Sequence, residues 1–558
     1  MQFKNPFVKE KAVSAASVDY ETAEVSSTEG LSATEDEKFD GVLDGSGDHK
    51  NPFTDPNVAE KFRQLYEDSQ YESRHVFDPD FEWTKDEEKR VKRKMEWRVA
   101  GWACIMFWGL QIDRNNLAQA VSDNLLEDLK LTTNEYNYGN MIFYLSFMSA
   151  EIPSQLVSKR LGPDRWIPIQ ICLWSAVAMC QGALQGKSSF YATRSLIGLL
   201  EGGFIPDLVL WLSYFYTSKE LSIRLSFFWT GLYLVNVLTS LLAFGILRIH
   251  SGGLAGWRWL FIIEGLITLC IGLASFFRMP ASAVSTKKWF RPNGWFTDRE
   301  EKIVVNRVLR DDPYKGDFHN RQAITPFTLY KCLSDFYMWP IYAIGLLAYI
   351  GDSPEGTYLT LTLRHLGFSP FNTNLLTIPV SVLKMILLLS FTWLSEKINE
   401  RSLVSIIQPL WVMVLVIALR FYPESGINVW CTYTILVLLL GGPYIHAVVV
   451  AWTSRNSNTV SQRTVSAAMY NMCVQAGGVA ATQIYRKDDA PFYHRGNTQL
   501  IIISGATIAL LIVTKIFYVT INKRRDRKWS AMSKEEREEY AQNSTDKGSR
   551  RLDFRFAH

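Results

Sequence analysis

Four charged residues sit where the chain is otherwise built of apolar side chains. Arg194 and Glu201 fall in TRSLIGLLEGGFIPD, inside an apolar stretch running from about 190 to 216. Asp113 and Arg114 fall in WGLQIDRNNLAQA, a second such stretch. An ionisable group near the centre of a bilayer costs about 2.5–3.5 kcal/mol on insertion scales, so residues kept there face a cavity and a partner. Arg194 and Glu201 are seven positions apart. At 3.6 residues per turn this spacing puts them on nearly one helix face, about 10 Å apart along the axis. Gly198 lies between them on that face and leaves room for a ligand or a neighbouring helix. Consecutive helical residues point about 100° apart, so Asp113 and Arg114 border one cavity without aiming at one point.

Two acids and two bases balance formally. A guanidinium fork matches a carboxylate bidentately, which assigns Arg114 and Arg194 to an anionic substrate. Asp113 and Glu201 are left to carry protons, because a carboxyl stripped of water holds a proton more readily and releases it as its surroundings change. The competing reading makes all four buried ion pairs that fix helix register, or lets Arg194, about five residues into its span, snorkel outward. Weaker candidates follow the same logic. Lys384 and His446 are substrate or proton ligands unless backbone carbonyls satisfy them, and Asn471 and Gln475, four apart, form a polar face for substrate. Glu151 and Glu264 adjoin span ends or small residues and read as structural, Asp207 reads as a gating contact, and Tyr358 offers a further cavity residue.

Holding these groups takes a frame of membrane helices. Residues 97–522 contain repeated apolar runs, each about 20 residues, the length that crosses a hydrocarbon core of about 30 Å. The expected fold class is an all-α membrane protein of twelve transmembrane helices in two six-helix halves. The spans fall near 98–120, 137–158, 164–182, 189–216, 222–248, 257–279, 334–362, 369–394, 402–421, 428–453, 464–485 and 498–521. The organisation is an acidic, mostly disordered tail over 1–96, a first half over 97–280, a basic linker over 281–333, a second half over 334–522 and a basic tail over 523–558. Basic residues in the linker (Lys287, Lys288, Arg291, Arg299) and tail (Lys523, Arg524, Arg525) place both termini in the cytoplasm. The first span starts almost 100 residues in, so no cleavable leader is expected. Helix breakers cluster at Gly202-Gly203 with Pro206, at Asp352-Ser353-Pro354 and at Gly441-Gly442-Pro443, which favours helices that bend. The seven cysteines show no metal-ligand spacing and read as free thiols, so neither a metal nor a cofactor is expected.

Three stretches carry a resemblance. RSLIGLLEGGFIP, DRNNLAQA and AGWRWLFIIEG, in the fourth, first and sixth spans, resemble the anion:cation symporters of the major facilitator superfamily, and among these the fungal allantoate permease family. The resemblance covers about 97–522. It implies a twelve-helix, proton-coupled, monomeric importer of small organic anions such as carboxylate vitamins, allantoate-like compounds or monocarboxylates. It also implies that Asp113, Arg114, Arg194 and Glu201 serve proton coupling and anion binding. One departure stands out: the superfamily's G-x-x-x-D-R-x-G-R-K loop reads QLVSKRLGPD here, with Gln155 and Lys159 replacing the Gly and Asp of its charge latch.

KNPF occurs at Lys4–Phe7 and Lys50–Phe53, the second continuing to Asp55. Asn-Pro-Phe forms a tight turn that presents an aromatic ring, and Asn51, Pro52, Phe53 and Asp55 resemble an endocytic sorting signal read by fungal adaptors. Such a signal favours the plasma membrane over the endoplasmic reticulum or vacuole membrane. A transporter-like nutrient sensor with little flux is the alternative function. An enzyme is not expected, since the chain holds no Gly-x-Ser-x-Gly elbow, phosphate loop or His-rich cluster, and no nucleic-acid partner is expected.

Overall fold

The computed structural model describes residues 51–54, 56–68, 71–249, 251–311, 334–351, 353–421, 428–457, 460–490, 492–533, 536–537, 540, 549 and 551–558. Nearly all of them belong to one compact unit, His49–Ala531 with Asp546–His558. The other unit, Met1–Asp48 with Met532–Thr545, is described at only five positions near Ser533. The first KNPF copy, Asp55 and Cys332 lie outside the described residues.

Among the described residues, helices make twelve successive passes. The first six are Gly101–Val121, Thr133–Leu161, Pro163–Cys180, Lys187–Glu201 continued by Phe204–Ser213, Ser218–Ile246 and Gly256–Arg278. The second six are Trp339–Leu347 with Ser353–His365, Pro370–Leu376 with Ile378–Ile398, Ser402–Arg420, Val429–Leu440 with His446–Asn456, Val460–Ala481 and His494–Ala531. The fourth, seventh and tenth passes break at the glycine and proline clusters seen in the sequence, and the eighth breaks additionally at Thr377, just before Pro379. Six of the described helices are long and apolar enough to cross a membrane by length and composition alone.

The last pass shows how the helices divide their faces. Its buried residues include Asn497, Leu500, Ser504, Thr507, Leu511, Thr514 and Tyr518, at alternating three- and four-residue steps, while Ile502, Ile512, Val513 and Ile516 are exposed. That is the pattern of helices that pack by close approach in lipid, where apolar burial supplies no drive. Pairings repeat at an offset of six: the third pass packs on the sixth and the ninth on the twelfth, the first on the fifth and the seventh on the eleventh. The duplication is therefore carried by packing as well as by hydropathy.

The halves meet on a tyrosine seal at the end opposite the tails. Tyr485 and Tyr493 stack at 4.3 Å, Tyr358 lies 6.1 Å from Tyr485 and 5.8 Å from Tyr136, and the Tyr358 hydroxyl donates to Asn137. Asn137 in turn donates to the Tyr485 carbonyl at 2.6 Å, and Thr360 donates to the Ala118 carbonyl at 2.6 Å. Tyr358, offered by the sequence as a cavity residue, belongs to this seal.

At the tail end the structure departs from the sequence reading. Over its described residues, 51–54, 56–68 and 71–96, the first tail is folded: Phe53, Phe62, Tyr66, Tyr71 and Val76 are buried together, and the helix Lys85–Met95, opened by a Thr84–Glu87 capping box, runs through a π-turn at Glu96–Ala100 into the first pass. Composition averaged over the whole tail hid this local run of aromatics. The Asn51 turn forms as expected, with Oδ1 accepting from Phe53 N at 3.1 Å, but the Phe53 ring is only 3% exposed and packs on Phe62 and Phe77. The ring is held inside rather than presented.

The linker helix Asp298–Asp311 docks on that tail. Arg307 donates to both Glu220 oxygens at 2.8 and 3.0 Å, Lys94 pairs with Glu300 at 2.7 Å, and Asn306 bonds Asp78 N and the Val76 carbonyl. The Arg299 guanidinium beside Glu87 holds that carboxyl down at about 2, so this contact is present above the usual carboxylate range and is lost only as pH falls towards that value. These pairs tie this end together where the loop latch of the superfamily is altered. The chain's end is ordered as well: Phe556 stacks on Tyr518 at 5.0 Å, and the Ala557 carbonyl accepts from Trp452 at 2.8 Å.

Gly198 has no room to grow. A Cβ there would lie 2.5 Å from the Phe143 carbonyl and 3.0 Å from Ser146. Gly198→Val is expected to force the second and fourth passes apart at a cost of about 1–3 kcal/mol. It would appear as a lower melting temperature of the detergent-purified protein, while Gly245→Ala, whose Cβ meets nothing within 4 Å, leaves it unchanged.

Candidate functional site

The break in the fourth pass sets the first part of the site. Glu201 is the last residue of Lys187–Glu201, and Gly203 follows at φ +84, a left-handed conformation that a side chain would strain and that leaves Ser154 pressed against the turn. Stopping the helix here leaves Glu201 fully buried and facing the first pass. Arg114 Nε donates to Glu201 Oε2 at 2.8 Å, its own side chain being 23% exposed. Its guanidinium also lies 5.0 Å from the Phe147 ring centre.

Arg194 lies 4.6 Å from the Phe143 ring centre and reaches Glu201 through its field alone. The room beside Gly198 is thus filled by the second pass, whose Phe143 lies against both guanidiniums, 4.6 Å from Arg194 and 6.0 Å from Arg114. Cation–π contacts of this kind are worth about 0.5–2 kcal/mol and keep each guanidinium in place without neutralising it. Arg114 Nη2 and Arg194 Nε are buried with no hydrogen-bond partner among the described residues, so both forks keep donor capacity.

Asp113 turns the other way, as its offset from Arg114 requires. It is 1% exposed, its Oδ2 accepts from Trp174 Nε1 at 3.1 Å, and the Thr268 hydroxyl is within reach. Glu264 lies fully buried on the sixth pass and feels the charge of Asp113. The first half therefore gathers three carboxyls, not two, around two arginines.

A cavity of about 390 Å³ opens between the halves. Asn115, Gln119, Tyr233 and Asn236 line it from the first half, and Tyr349, Thr377, Lys384 and Tyr444 from the second. Lys384 is the charged side chain of this lining, and its Nζ lies 4.9 Å from the Tyr444 ring centre. Asn115, next in the chain to Arg114, donates to Asn236 at 2.7 Å. Tyr444 packs on Tyr233 and Tyr349 at 6.5 and 5.6 Å, giving the cavity flat aromatic walls.

Other sequence candidates fall outside the cavity lining. His446 is buried behind it, stacked on Tyr444 at 5.7 Å, with the Tyr470 hydroxyl 3.4 Å from its Nδ1. Asn471 donates to Glu151 at 3.2 Å across the interface between the halves. Tyr349, Tyr444 and Trp174 were not singled out from sequence. A usable signal existed for two of them: Tyr349 and Tyr444 flank the breaks of the seventh and tenth passes, and irregular backbone at membrane depth is tolerated where it lines a cavity.

The Major Facilitator Superfamily pattern matches residues 103–482. The chain is 45% identical over 511 residues to "Uncharacterized transporter YIL166C" of Saccharomyces cerevisiae, covering 91% of this chain and 94% of that protein. It is 27% identical over 452 residues to "Major facilitator-type transporter hxnP" of Emericella nidulans, covering 80% and 88%. The fold is similar to the Escherichia coli xylose transporter XylE in a partially occluded inward-open conformation, with TM-score 0.53 and 14% identity over 73% of this chain and 96% of that one. A D-xylose-proton symporter gives TM-score 0.52 at 13% identity, covering 75% and 95%. With its twelve paired passes and central cavity, the chain belongs to the Major Facilitator Superfamily and is a multi-pass membrane protein that works as a secondary transporter rather than an enzyme.

Proposed function

We propose that this transporter imports a small organic anion together with protons, by alternating access. The observation that carries the reading is the cavity: two halves contribute polar and aromatic walls, and Lys384 supplies its positive charge. A volume of about 390 Å³ suits a small molecule. A carboxylate vitamin, an allantoate-like ureide or a monocarboxylate fits it, in keeping with the allantoate permease family, and the tyrosine walls favour a flat one. Lys384 anchors the anion in the state with the tyrosine seal closed, while Arg114, next in the chain to Asn115, and Arg194 keep buried N–H groups in reserve outside the cavity lining.

Proton coupling rests on Glu201. While Glu201 is ionised it satisfies Arg114; when it takes a proton the guanidinium is released to the substrate. Asp113 is the second proton-coupling group, and His446 and Asn471 act from behind the cavity rather than as direct ligands. Both termini, the basic linker and the clamp around Arg307 belong on the cytoplasmic side, and the protein works as a monomer in the plasma membrane. Adaptor recognition of Asn51, Pro52, Phe53 and Asp55 requires the Phe53 ring to leave its seat between Phe62 and Phe77.

Uptake of radiolabelled carboxylate vitamins, ureides, amino acids and monocarboxylates at two external pH values tests the reading. One compound is expected to accumulate faster at acid pH. Lys384→Gln is expected to raise its KM about tenfold or more, the factor for losing about 1.4 kcal/mol of a charge-assisted contact. Glu201→Gln keeps exchange of internal for external substrate and loses accumulation. No movement of any compound, or flux indifferent to pH, overturns the proposal.

The Arg114–Glu201 contact has a separate check. Arg114→Gln and Glu201→Gln each strand the partner's charge, whereas the double variant removes both. The double variant is expected to lose less melting temperature than the two singles together, with a coupling of about 0.5–3 kcal/mol. Strict additivity would show that the two side chains act apart.

A further inference from the structure

We propose that Asp113 and Glu264 form a two-carboxyl proton site that holds one proton at rest, with Glu264 as its storage member. The proposal rests on the proton-coupled reading above for its role in transport, but the site itself follows from packing.

Register brings the two acids level. The first and sixth passes run antiparallel, and a Cβ on Gly109 would meet Thr268 Cγ2 at 3.4 Å, so these positions touch. Asp113 is one turn beyond Gly109 on the first pass, and Glu264 is one turn before Thr268 on the sixth. In antiparallel helices both steps lead the same way, towards the end with the tyrosine seal. Glu264 accordingly feels the charge of Asp113.

The donors around them are unequal. Asp113 Oδ2 receives the Trp174 indole N–H from the third pass and has the Thr268 hydroxyl beside it from the sixth. Glu264 is fully buried, and neither of its oxygens has a hydrogen-bond partner among the described residues. Glu201 faces Asp113 from the fourth pass with a negative charge, and Arg114, on Asp113's own helix, points away to Glu201. An ionised carboxylate with no donor and no counter-charge is among the most costly things to bury.

Charge balance gives the same answer. Asp113, Glu201 and Glu264 carry three negative charges if all ionise, against two positive charges on Arg114 and Arg194. One bound proton makes the cluster neutral. Asp113, which receives the Trp174 N–H on Oδ2 while its Oδ1 has no partner among the described residues, is the better placed of the two to ionise, and Glu264, with no donor, suits the acid. Transfer then breaks the O–H bond on Glu264 as one forms on Asp113, leaving the pair's total charge unchanged. Glu264 thus serves as a positioning and storage group, while Asp113 meets the rest of the coupling machinery.

The test uses purified full-length protein and the proton itself as probe. The infrared C=O stretch of protonated carboxyls, with its shift in D2O, is followed from acid to alkaline buffer. Wild type is expected to keep a buried carboxyl band at neutral pH, and Glu264→Gln, an isosteric change, to lose that one band while gel filtration stays normal. Asp113→Asn, a second variant that removes the partner's negative charge, is expected to lose the Glu264 band at lower pH than wild type. A Glu264→Gln spectrum that retains the band, or a wild type without one, overturns the site. Uptake separates the two ideas: acid-stimulated uptake that has the same pH profile in Glu264→Gln sinks the site's role and leaves proton coupling standing. Wild-type uptake indifferent to pH sinks the coupling reading whatever the infrared band shows.

Discussion

Burying charge away from water is the constraint on which the rest of this molecule depends. Glu201 is fully buried, and its neutralisation by Arg114 at 2.8 Å fixes where the first and fourth passes must stand. That position is available because the fourth helix ends at Glu201 and restarts after Gly203, and because Gly198 lets the second pass come within contact of the same helix face. Phe143 then lies against both guanidiniums and Phe147 against that of Arg114. A local breach of helical geometry thus serves an electrostatic need. The fold tolerates the breach because neighbouring helices cover the exposed backbone.

The same trade recurs in the second half. The seventh, eighth and tenth passes are each broken, and the breaks place Tyr349, Thr377 and Tyr444 on the cavity. Unbroken helices such as the third and sixth instead pack along their small residues and form the rigid flank of their half. Across the halves the tyrosines are in contact at one end, whereas at the other the Arg307 ion pairs bind the linker helix to the first half.

The sequence showed the charges clearly because an Arg or Glu in an apolar run has no bland explanation of its own. It also showed the breaks, since Gly-Gly and Ser-Pro at membrane depth have few uses. Partners were another matter. Whether Arg114 of the first pass meets Glu201 of the fourth depends on how the two helices are rotated, which one helix's period cannot supply, and the pairing emerges only when the passes are docked. Glu264 read as structural because its neighbour Gly265 marks a packing face. Nothing local reveals that Thr268, one turn on, touches Gly109 of a distant segment. The first tail misled for the opposite reason, since an average over its length diluted the aromatics between Phe53 and Phe77 that order it.

The division of polar groups between the halves carries a consequence for coupling. Asp113, Arg114, Arg194, Glu201 and Glu264 belong to the first half, whereas the cavity's Lys384 belongs to the second. On the proposed reading, an anion attracted to Lys384 brings its charge beside Asn115, one residue from Arg114. A negative charge there competes with Glu201 for the guanidinium. Glu201 can yield only by taking up a proton, because an ionised carboxylate abandoned in that site would bear the full cost of burial. Substrate and proton then favour each other without touching, and reciprocity requires that protonation tighten anion binding by the same factor. On that reading, coupling arises because Arg114, Arg194 and Lys384 are too few positive charges for Asp113, Glu201, Glu264 and a bound anion at once.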